Sequence, residues 1–450
     1  MEVESAEVLV RPVMLISWST DRKHTAIADD LAHGGPVMRK LAGLGLGLAS
    51  LAFLAYVSLG LPDGLLGVAW PSMRDDFSLS YDSLGPLFIA FTIGYLSSSF
   101  FAGRLMARLR LGILLALSTF LAGGALVGYG FAPGWWVVVV LGVGAGLGGG
   151  GIDAALNIYV AANHGERMMQ WLHAVYGVGA MLGPVIMTLA IGSLGSWRWG
   201  FVLVGAMELA LSVCFALTAP RWRTGTEPAG HGEHEGESRR SYQDVPMKET
   251  LRRRQVWLSM FLFFVYMGIE VAFGSWAYTL LTESRGVSPR LAGFFMASYW
   301  GIFTVSRIAA GFYTRRLAPR TLVVGSLSIA LLGAALLTLD IPGSVNLFAC
   351  AVIGLALAPV LAALLSGTAS RVGVRHTPNT IGVQIAAMGV GGAVGPSLTG
   401  VVAAHISLNA IPYFIMALIV VLIAAYLLSL KRAGGSAAAS EADALPTSRT

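Results

Sequence analysis

Long apolar stretches, each bounded by charged residues, proline or polar turns, recur along the whole chain. A bilayer core of about 30 Å is crossed by roughly 20 apolar helical residues, and twelve windows reach that length. They predict helices at 41–70, 84–105, 111–131, 134–161, 171–192, 197–217, 256–281, 291–312, 321–339, 345–368, 382–404 and 410–430. The pattern therefore indicates an all-α integral membrane protein with twelve transmembrane helices.

The overall composition excludes a soluble domain. Apolar residues make up 55% of the 450 residues and charged residues only 12%, whereas charge in soluble domains is near a quarter. A net charge of +6 is compatible with nucleic-acid binding, but the basic residues lie mostly in short runs between apolar stretches. We therefore expect the lipid bilayer, and no nucleic acid, as the surroundings of this chain.

The distribution of basic residues predicts how the chain is oriented. If the amino terminus is cytoplasmic, only four of the 30 Lys and Arg fall on the outer side: Arg74, Arg198, Arg285 and Arg290. Because basic residues concentrate in cytoplasmic loops, both termini are predicted inside a plasma (inner) membrane. No early basic-then-apolar signal with a cleavage site precedes the first span, so we expect no cleaved leader.

Polar segments divide the chain into five parts. Residues 1–40 form a cytoplasmic amino-terminal segment, 41–218 a first six-helix bundle and 219–255 a cytoplasmic linker. Residues 256–430 form a second six-helix bundle, and 431–450 an Ala-, Ser- and Glu-rich tail that we expect to be disordered.

No metal or cofactor site is predicted. His231 and His234 lie in the charged, Gly-rich linker, where a solvated tract is a better interpretation than a metal site. Cys214 and Cys350 both lie inside apolar stretches, so they form neither a disulfide framework nor a CxxC site. The chain also lacks a Walker loop, HExxH and GxSxG, which argues against an enzyme or an ATP-driven pump.

The two halves of the chain resemble each other. Residues 85–109 align with 293–317, and the segment YGVGAMLGP at 176–184 aligns with MGVGGAVGP at 388–396. Small residues let helices cross closely in lipid, and a Gly-Pro pair permits bending where a gate moves. We therefore assign gating roles to the prolines that end these two segments, Pro184 and Pro396.

Ionisable residues inside the spans are the main candidates for function. Each costs about 2.5–3.5 kcal/mol near the bilayer centre even on the lenient insertion scale, so each needs a partner, water or a task. Asp63 follows Pro62 and precedes Gly64, which predicts a broken first helix with exposed backbone groups beside the carboxylate. We favour an ion or substrate site there over a carboxylate that only caps a turn.

Two further carboxylates have polar or aromatic partners at helical spacing. Asp153 lies four residues before Asn157, so both share a helix face that suits solute hydroxyls, although Asn157 could simply satisfy Asp153. Glu270 shares a face with Tyr266, and Trp276 follows, a combination that suits a sugar ring. Weaker lining candidates are Phe91, Tyr95, Tyr278, Tyr299, Trp300 and Gln384.

The remaining polar intramembrane residues have less specific signals. Glu208 in the sixth span is equally compatible with a structural pairing and with a crevice. Arg307 lies near the cytoplasmic end of the eighth span, so we expect it to extend towards the loop and act in gating. His173 begins a span and is as well explained by an interfacial position as by titration near neutral pH.

At this point the chain resembles the major facilitator superfamily over about residues 41–430. The segment GGGGIDAALNIYVAANHGERMMQWLHAVYGVGAMLGP at 148–184 and DGLLGVAWPSM at 63–73 are similar to its fucose permease-like branch. In GRLMARLRLG, Ala107 replaces the usual acidic residue while Arg108 remains, which weakens the drug-antiporter and glucose-facilitator interpretations and leaves Arg108 as a gating candidate.

The resemblance implies a pseudo-two-fold pair of six-helix bundles with spans 1, 4, 7 and 10 around a central cavity. It implies a substrate-related carboxylate in span four, at Asp153, which also takes part in proton coupling. It further implies a proton-linked carboxylate in span one, for which Asp63 is the available residue. Asp63 lies about one helical turn earlier than the family pattern.

We therefore expect a monomeric, proton-coupled symporter for a monosaccharide or similar small polar solute. One alternative is a proton-driven exporter of amphipathic compounds, because the Gly-Pro element of span five also resembles an antiporter motif. A second alternative is a membrane sensor of the same fold that binds a solute without transporting it.

Overall fold

The secondary structure follows from the apolar composition, because lipid offers no partners for backbone N–H and C=O groups and helices satisfy them internally. The computed structural model describes residues 36–164, 166–222, 245–313, 317–339 and 344–443. The long helices of this part are α1 Pro36–Asp76, α2 Gly85–Arg108, α3 Leu111–Phe131, α4 Trp135–Asn163, α5 Glu166–Leu194, α6 Trp197–Thr218, α7 Arg254–Thr279, α8 Pro289–Tyr313, α9 Pro319–Leu336, α10 Ser344–Ser366, α11 Thr377–His405 and α12 Ile411–Asp443. Within it, eleven helices are long and apolar enough to cross a membrane. The twelfth long helix, α8, has 25 residues, includes Arg307 and is not among these eleven.

These helices form two six-helix bundles, as the apolar pattern predicts. In the first, α2 packs on α4 and α3 on α6; in the second, α7 packs on α11 and α8 on α10. The bundles meet where α5 contacts α8 and α2 contacts α11. All side chains discussed below belong to the compact unit of residues 51–450.

The predicted break in the first helix is wrong. α1 is continuous through Pro62 and Asp63, although proline removes one backbone hydrogen bond. Its neighbour α5 explains the continuity, since a Cβ added at Gly64 would lie 2.4 Å from the carbonyl oxygen of Ala180. Close packing against a neighbouring helix stabilises α1 at the position where proline removes a backbone hydrogen bond.

Several helix ends also differ from the predicted boundaries. α5 begins at Glu166 and α11 at Thr377, each five residues before the predicted apolar window. α12 continues to Asp443, so the expectation of a disordered tail is wrong up to that residue. Alanine and glutamate are strong helix formers, and they extend the helix beyond its apolar part. The predicted linker histidines, His231 and His234, lie outside the described residues.

The internal repeat is visible in how the helices pack. A Cβ added at Gly179 of α5 would lie 2.0 Å from the carbonyl oxygen of Val57 in α1. The aligned Gly391 of α11 has the same relation to α7, with 2.1 Å to the carbonyl oxygen of Phe264. The Gly-rich segments therefore seat α5 on α1 and α11 on α7 by backbone contact in both halves.

One end of the molecule, which we call the gate end, joins the two bundles by polar contacts. Arg74 in the last turn of α1 forms an ion pair with Glu283 beyond α7, with Nη1 and Oε2 3.1 Å apart. The hydroxyl of Tyr81 donates to the same oxygen at 2.7 Å, and the Arg74 guanidinium lies 4.3 Å from the centre of the Tyr81 ring. Beneath them, the ring of Trp276 packs edge-on against Trp70. This end of the molecule is closed.

Candidate functional site

Asp153 of α4 is held by three donors from three helices. Its Oδ1 accepts from the hydroxyl of Tyr56 on α1 at 2.7 Å and from Nδ2 of Asn157, one turn along α4, at 3.0 Å. Its Oδ2 accepts from the hydroxyl of Tyr95 on α2 at 2.6 Å. The pairing with Asn157 that the sequence left open is therefore present, and both oxygens of the carboxylate accept hydrogen bonds.

Asp63 lies in the second half of α1, and its side chain is exposed. The hydroxyl of Tyr176 on α5 donates to its Oδ2. Tyr95, which also donates to Asp153, interacts electrostatically with Asp63 and thus connects the two aspartates. Because the gate end is closed, we infer that solvent reaches Asp63 from the opposite end of the bundles.

Glu270 of α7 faces Arg307 of α8 in the second bundle. Oε2 of Glu270 and Nη2 of Arg307 are 3.6 Å apart, an ion pair beyond hydrogen-bond distance. The guanidinium also lies 4.4 Å from the centre of the Phe303 ring. Arg307 therefore turns inward to the carboxylate, and the expectation that it extends to the loop is wrong. A buried carboxylate without a counter-ion is strongly destabilising, and this cost outweighs the better solvation that the arginine would have at the loop.

Several buried polar atoms around this ion pair have no hydrogen-bond partner among the described residues. They are Oε2 of Glu270, Nη2 of Arg307 and the hydroxyl of Tyr299. Tyr299 interacts electrostatically with both charged groups, so the atoms belong to one cluster. Tyr266, one turn before Glu270, donates its hydroxyl to the carbonyl of Leu357 at 3.1 Å. Unpaired buried polar atoms are costly, which makes this cluster a place for a ligand.

The two polar groups meet across the bundle interface. Tyr176, which donates a hydrogen bond to Asp63, interacts electrostatically with Glu270 and Arg307. His173, one turn earlier on α5, packs edge-on against Tyr56 and interacts electrostatically with Asp153 and with Arg307. The resulting central cluster comprises Tyr56, Asp63, Tyr95, Asp153, Asn157, His173, Tyr176, Tyr266, Glu270, Tyr299 and Arg307.

The sequence patterns identified the charged members of this central cluster and three of its five tyrosines, but they missed Tyr56 and Tyr176. Tyr56 lies seven residues before Asp63, so the two share a face of α1, and that spacing was an available signal. Tyr176 opens the repeated segment at 176–184, where its aligned residue is Met388, and this asymmetry was also visible.

Two predicted substrate-binding residues lie elsewhere. Trp276 is fully buried at the gate end, and its Nε1 donates to the carbonyl of Pro396 at 2.9 Å. Gln384 is fully buried between α7 and α11, and its Nε2 donates to the hydroxyl of Ser259 at 2.7 Å. Both side chains are hydrogen-bonded within the protein, so neither lines the cluster in this conformation.

The predicted gating prolines lie inside continuous helices. The Cδ of Pro184 would be 2.5 Å from a Cβ added at Gly64, so the proline packs where α5 crosses α1. Pro396 in α11 contributes the carbonyl that fixes Trp276. Arg108 is exposed in the last turn of α2. Their gating roles remain predictions.

Two further features lie apart from the central cluster. Glu208 of α6 is buried against Gly123 of α3, so this carboxylate belongs to the interior of the first bundle. A cavity of about 910 Å³ between α5, α8, α9 and α10 has mainly apolar lining, including Phe294, Val305 and Leu355. These three side chains are each more than half exposed, as expected for a groove that faces lipid.

Curated relatives match the chain at low identity over much of its length. Bypass of stop codon protein 6 of Saccharomyces cerevisiae is 25% identical over 397 residues, covering 80% of this chain and 77% of the yeast protein. The hexuronate transporter of Bacillus subtilis is 26% identical over 290 residues, covering 60% and 64%. The human sodium-dependent glucose transporter 1 is 23% identical over 319 residues, covering 62% and 59%.

Solved structures share the fold. The nucleoside transporter NupG superposes with a TM-score of 0.68 at 14% identity, covering 86% of this chain and 99% of NupG. The fucose:proton symporter FucP of E. coli superposes with 0.55 at 18% identity, covering 84% and 98%. The family model of the Major Facilitator Superfamily matches residues 52–385. The chain belongs to this superfamily and is a multi-pass membrane transporter, not an enzyme.

Proposed function

We propose that the protein is a proton-coupled symporter that takes up a monosaccharide or a similar small polar solute by alternating access. The observation that carries the proposal is the central cluster, in which carboxylates from α1, α4 and α7 lie between the two bundles, one of them exposed and one of them beside unpaired polar atoms. Intramembrane carboxylates of this kind are typical of proton and solute pathways.

A sugar-like solute fits the chemistry of this cluster. Hydroxyl groups both donate and accept, so they suit carboxylates, an amide, phenols and a guanidinium placed around one space. The names of the glucose transporter and the hexuronate transporter among the relatives support the same solute class. A neutral polyol would satisfy the atoms around Glu270 that lack partners.

Asp63 is the proposed proton carrier. A proton on its carboxyl would remove a negative charge that faces Glu270 across the bundle interface, and the loaded carrier would then reorient with less charge to desolvate. Asp153 would bind the solute and influence proton release, because Tyr95 donates to Asp153 and interacts electrostatically with Asp63. Opening of the gate end would require the Arg74–Glu283 pair to separate.

The proposal also includes the surroundings of the transporter. The loop charges support a plasma (inner) membrane location with both termini in the cytoplasm, which places the gate end outside. In that orientation the described conformation faces inward. We propose that the monomer is the transporting unit, because each chain holds a complete central cluster.

Proton entry into proteoliposomes would test this function. An internal pH dye is followed while a panel of sugars is added outside, with the wild type, Asp63→Asn and Glu208→Gln as a matched carboxylate control away from the cluster. We expect sugar-triggered acidification that disappears in Asp63→Asn and persists in Glu208→Gln. Replacing Na⁺ by choline should leave the signal unchanged.

Other outcomes would redirect the assignment. Uptake of labelled sugar that requires Na⁺ and moves no protons would identify sodium as the coupling ion, as the names of several relatives suggest. A signal triggered only by amphipathic drugs, with dissipation of an imposed proton gradient, would indicate an exporter. Sugar binding without flux in either direction would indicate a sensor.

A further inference from the structure

The ion pair between Glu270 and Arg307 has a consequence for the charge of the solute, which rests on the proposed function. Glu270 is 5% exposed and Tyr299 is fully buried, and the unpaired atoms of this cluster are one acceptor, Oε2 of Glu270, and two donors, Nη2 of Arg307 and the Tyr299 hydroxyl. The two charged atoms are 3.6 Å apart, so a group placed beside them meets both.

A solute must therefore offer donors and acceptors at the same place. Adjacent hydroxyls of a neutral sugar do both, because each hydroxyl carries a hydrogen and two lone pairs. A carboxylate only accepts. It would satisfy Arg307 and Tyr299 but leave Oε2 of Glu270 unpaired and opposed by a like charge.

The wider charge balance acts in the same direction. Five ionisable groups of the central cluster are connected by electrostatic interactions: the carboxylates Asp63, Asp153 and Glu270, the guanidinium of Arg307 and the imidazole of His173. Even with one proton on Asp63, two carboxylates face a single guanidinium when His173 is neutral. The field in the cluster remains negative and disfavours anions.

We propose that Glu270 is a specificity-determining residue that makes the transporter select neutral aldoses over the corresponding uronates. Arg307 alone would bind a carboxylate in a charge-assisted, bidentate manner. Glu270 opposes this by placing a negative charge 3.6 Å from Nη2 of Arg307, where it repels a second carboxylate. Substitution of Glu270 by glutamine keeps its shape and its acceptor oxygen but releases Arg307 for an anionic solute.

Binding of matched sugar pairs would test this role. The probes are D-glucose with D-glucuronate, D-galactose with D-galacturonate and D-mannose with D-mannuronate, which differ within each pair only at carbon 6. Affinities are measured on purified protein in nanodiscs by tryptophan fluorescence, which needs no transport. For the best-bound aldose, we expect the wild type to bind the uronate at least tenfold more weakly.

Variants separate this selection against anionic sugars, which we call the charge filter, from general damage to the fold. Glu270→Gln should reduce the aldose-over-uronate ratio by at least tenfold, Arg307→Gln should preserve or increase it, and the control Glu208→Gln should leave it unchanged. A wild type that binds uronates as tightly as aldoses would overturn the inference even if a variant fails to fold. So would an unchanged ratio in folded Glu270→Gln.

Failure of the proposed function gives a different result. If the affinities follow the expected order but no sugar moves protons, the coupling proposal fails and the charge filter stands. If none of the six sugars binds, the monosaccharide class itself is wrong, and the filter proposal falls with it.

Discussion

The carboxylates of the two bundles lie in opposite environments. Asp153 in the first bundle accepts three hydrogen bonds from Tyr56, Tyr95 and Asn157. Glu270 in the second bundle is more deeply buried than Asp153, yet its Oε2 has no hydrogen-bond partner among the described residues and only a 3.6 Å ion pair. The protein itself supplies the hydrogen bonds of Asp153, whereas Oε2 of Glu270 is available to a hydrogen-bond donor from a solute. The first bundle is therefore organised in advance, and the second carries the atoms that gain most from a solute.

Removing the positive charge beside Glu270 is the strongest test of this difference. Arg307→Gln leaves a buried carboxylate without its counter-ion, and breaking a buried pair costs about 3–5 kcal/mol, less where one partner is partly exposed. We expect loss of transport and a melting temperature lowered by several degrees, measured by fluorescence-detected unfolding in detergent. The double variant Glu270→Gln/Arg307→Gln should recover the melting temperature but not transport. Equal destabilisation of both variants would contradict the pairing.

Asp153→Asn should abolish coupled uptake with a smaller effect on stability. The amide keeps one acceptor oxygen, but its NH2 group cannot accept from Tyr56 or Tyr95, and the charge-assisted bonds, worth about 1.5–3 kcal/mol, weaken. Flux of labelled sugar into proteoliposomes measures the loss of uptake, and the melting temperature in detergent measures the effect on stability. Wild-type transport by this variant would remove Asp153 from the proposed site.

A pair of phenol deletions compares the bundles directly. Tyr95→Phe removes a 2.6 Å hydrogen bond to Asp153 and should cost about 1–2 kcal/mol of stability. Tyr299→Phe removes a buried hydroxyl without a partner among the described residues, so stability should stay level or rise while solute affinity falls several-fold. Melting temperatures and binding isotherms of both variants decide the matter. The opposite ranking of stabilities would break the distinction between the bundles.

Much of the fold and part of the site could be predicted from the sequence. Twelve helices, the repeat and the intramembrane charges follow from apolar length and local spacing, which are properties of single segments. The partners of those charges are not, because Tyr176 meets Asp63 across 113 positions and Arg307 meets Glu270 on another helix. The continuity of α1 at Pro62 likewise depends on α5 packing against it. Trp276 was wrongly predicted to bind substrate, because an aromatic side chain at the end of a span is equally suited to lining a cavity and to packing in the interior.

The gate end offers the smallest expected effect and extends the comparison to the closed and open ends of the molecule. Arg74→Gln removes the 3.1 Å ion pair with Glu283, a partly exposed contact worth about 0.5–1 kcal/mol. The population closed at this end should fall roughly two- to fivefold relative to the open one. Spin labels on cysteines placed at Ser80 and Asn409, measured by double electron–electron resonance, would report the shift. Tyr81→Phe, which removes only the hydrogen bond to Glu283, should give a change in the same direction and no larger. An unchanged distance distribution in Arg74→Gln would show that the contact between Trp70 and Trp276 holds this end closed without the ion pair.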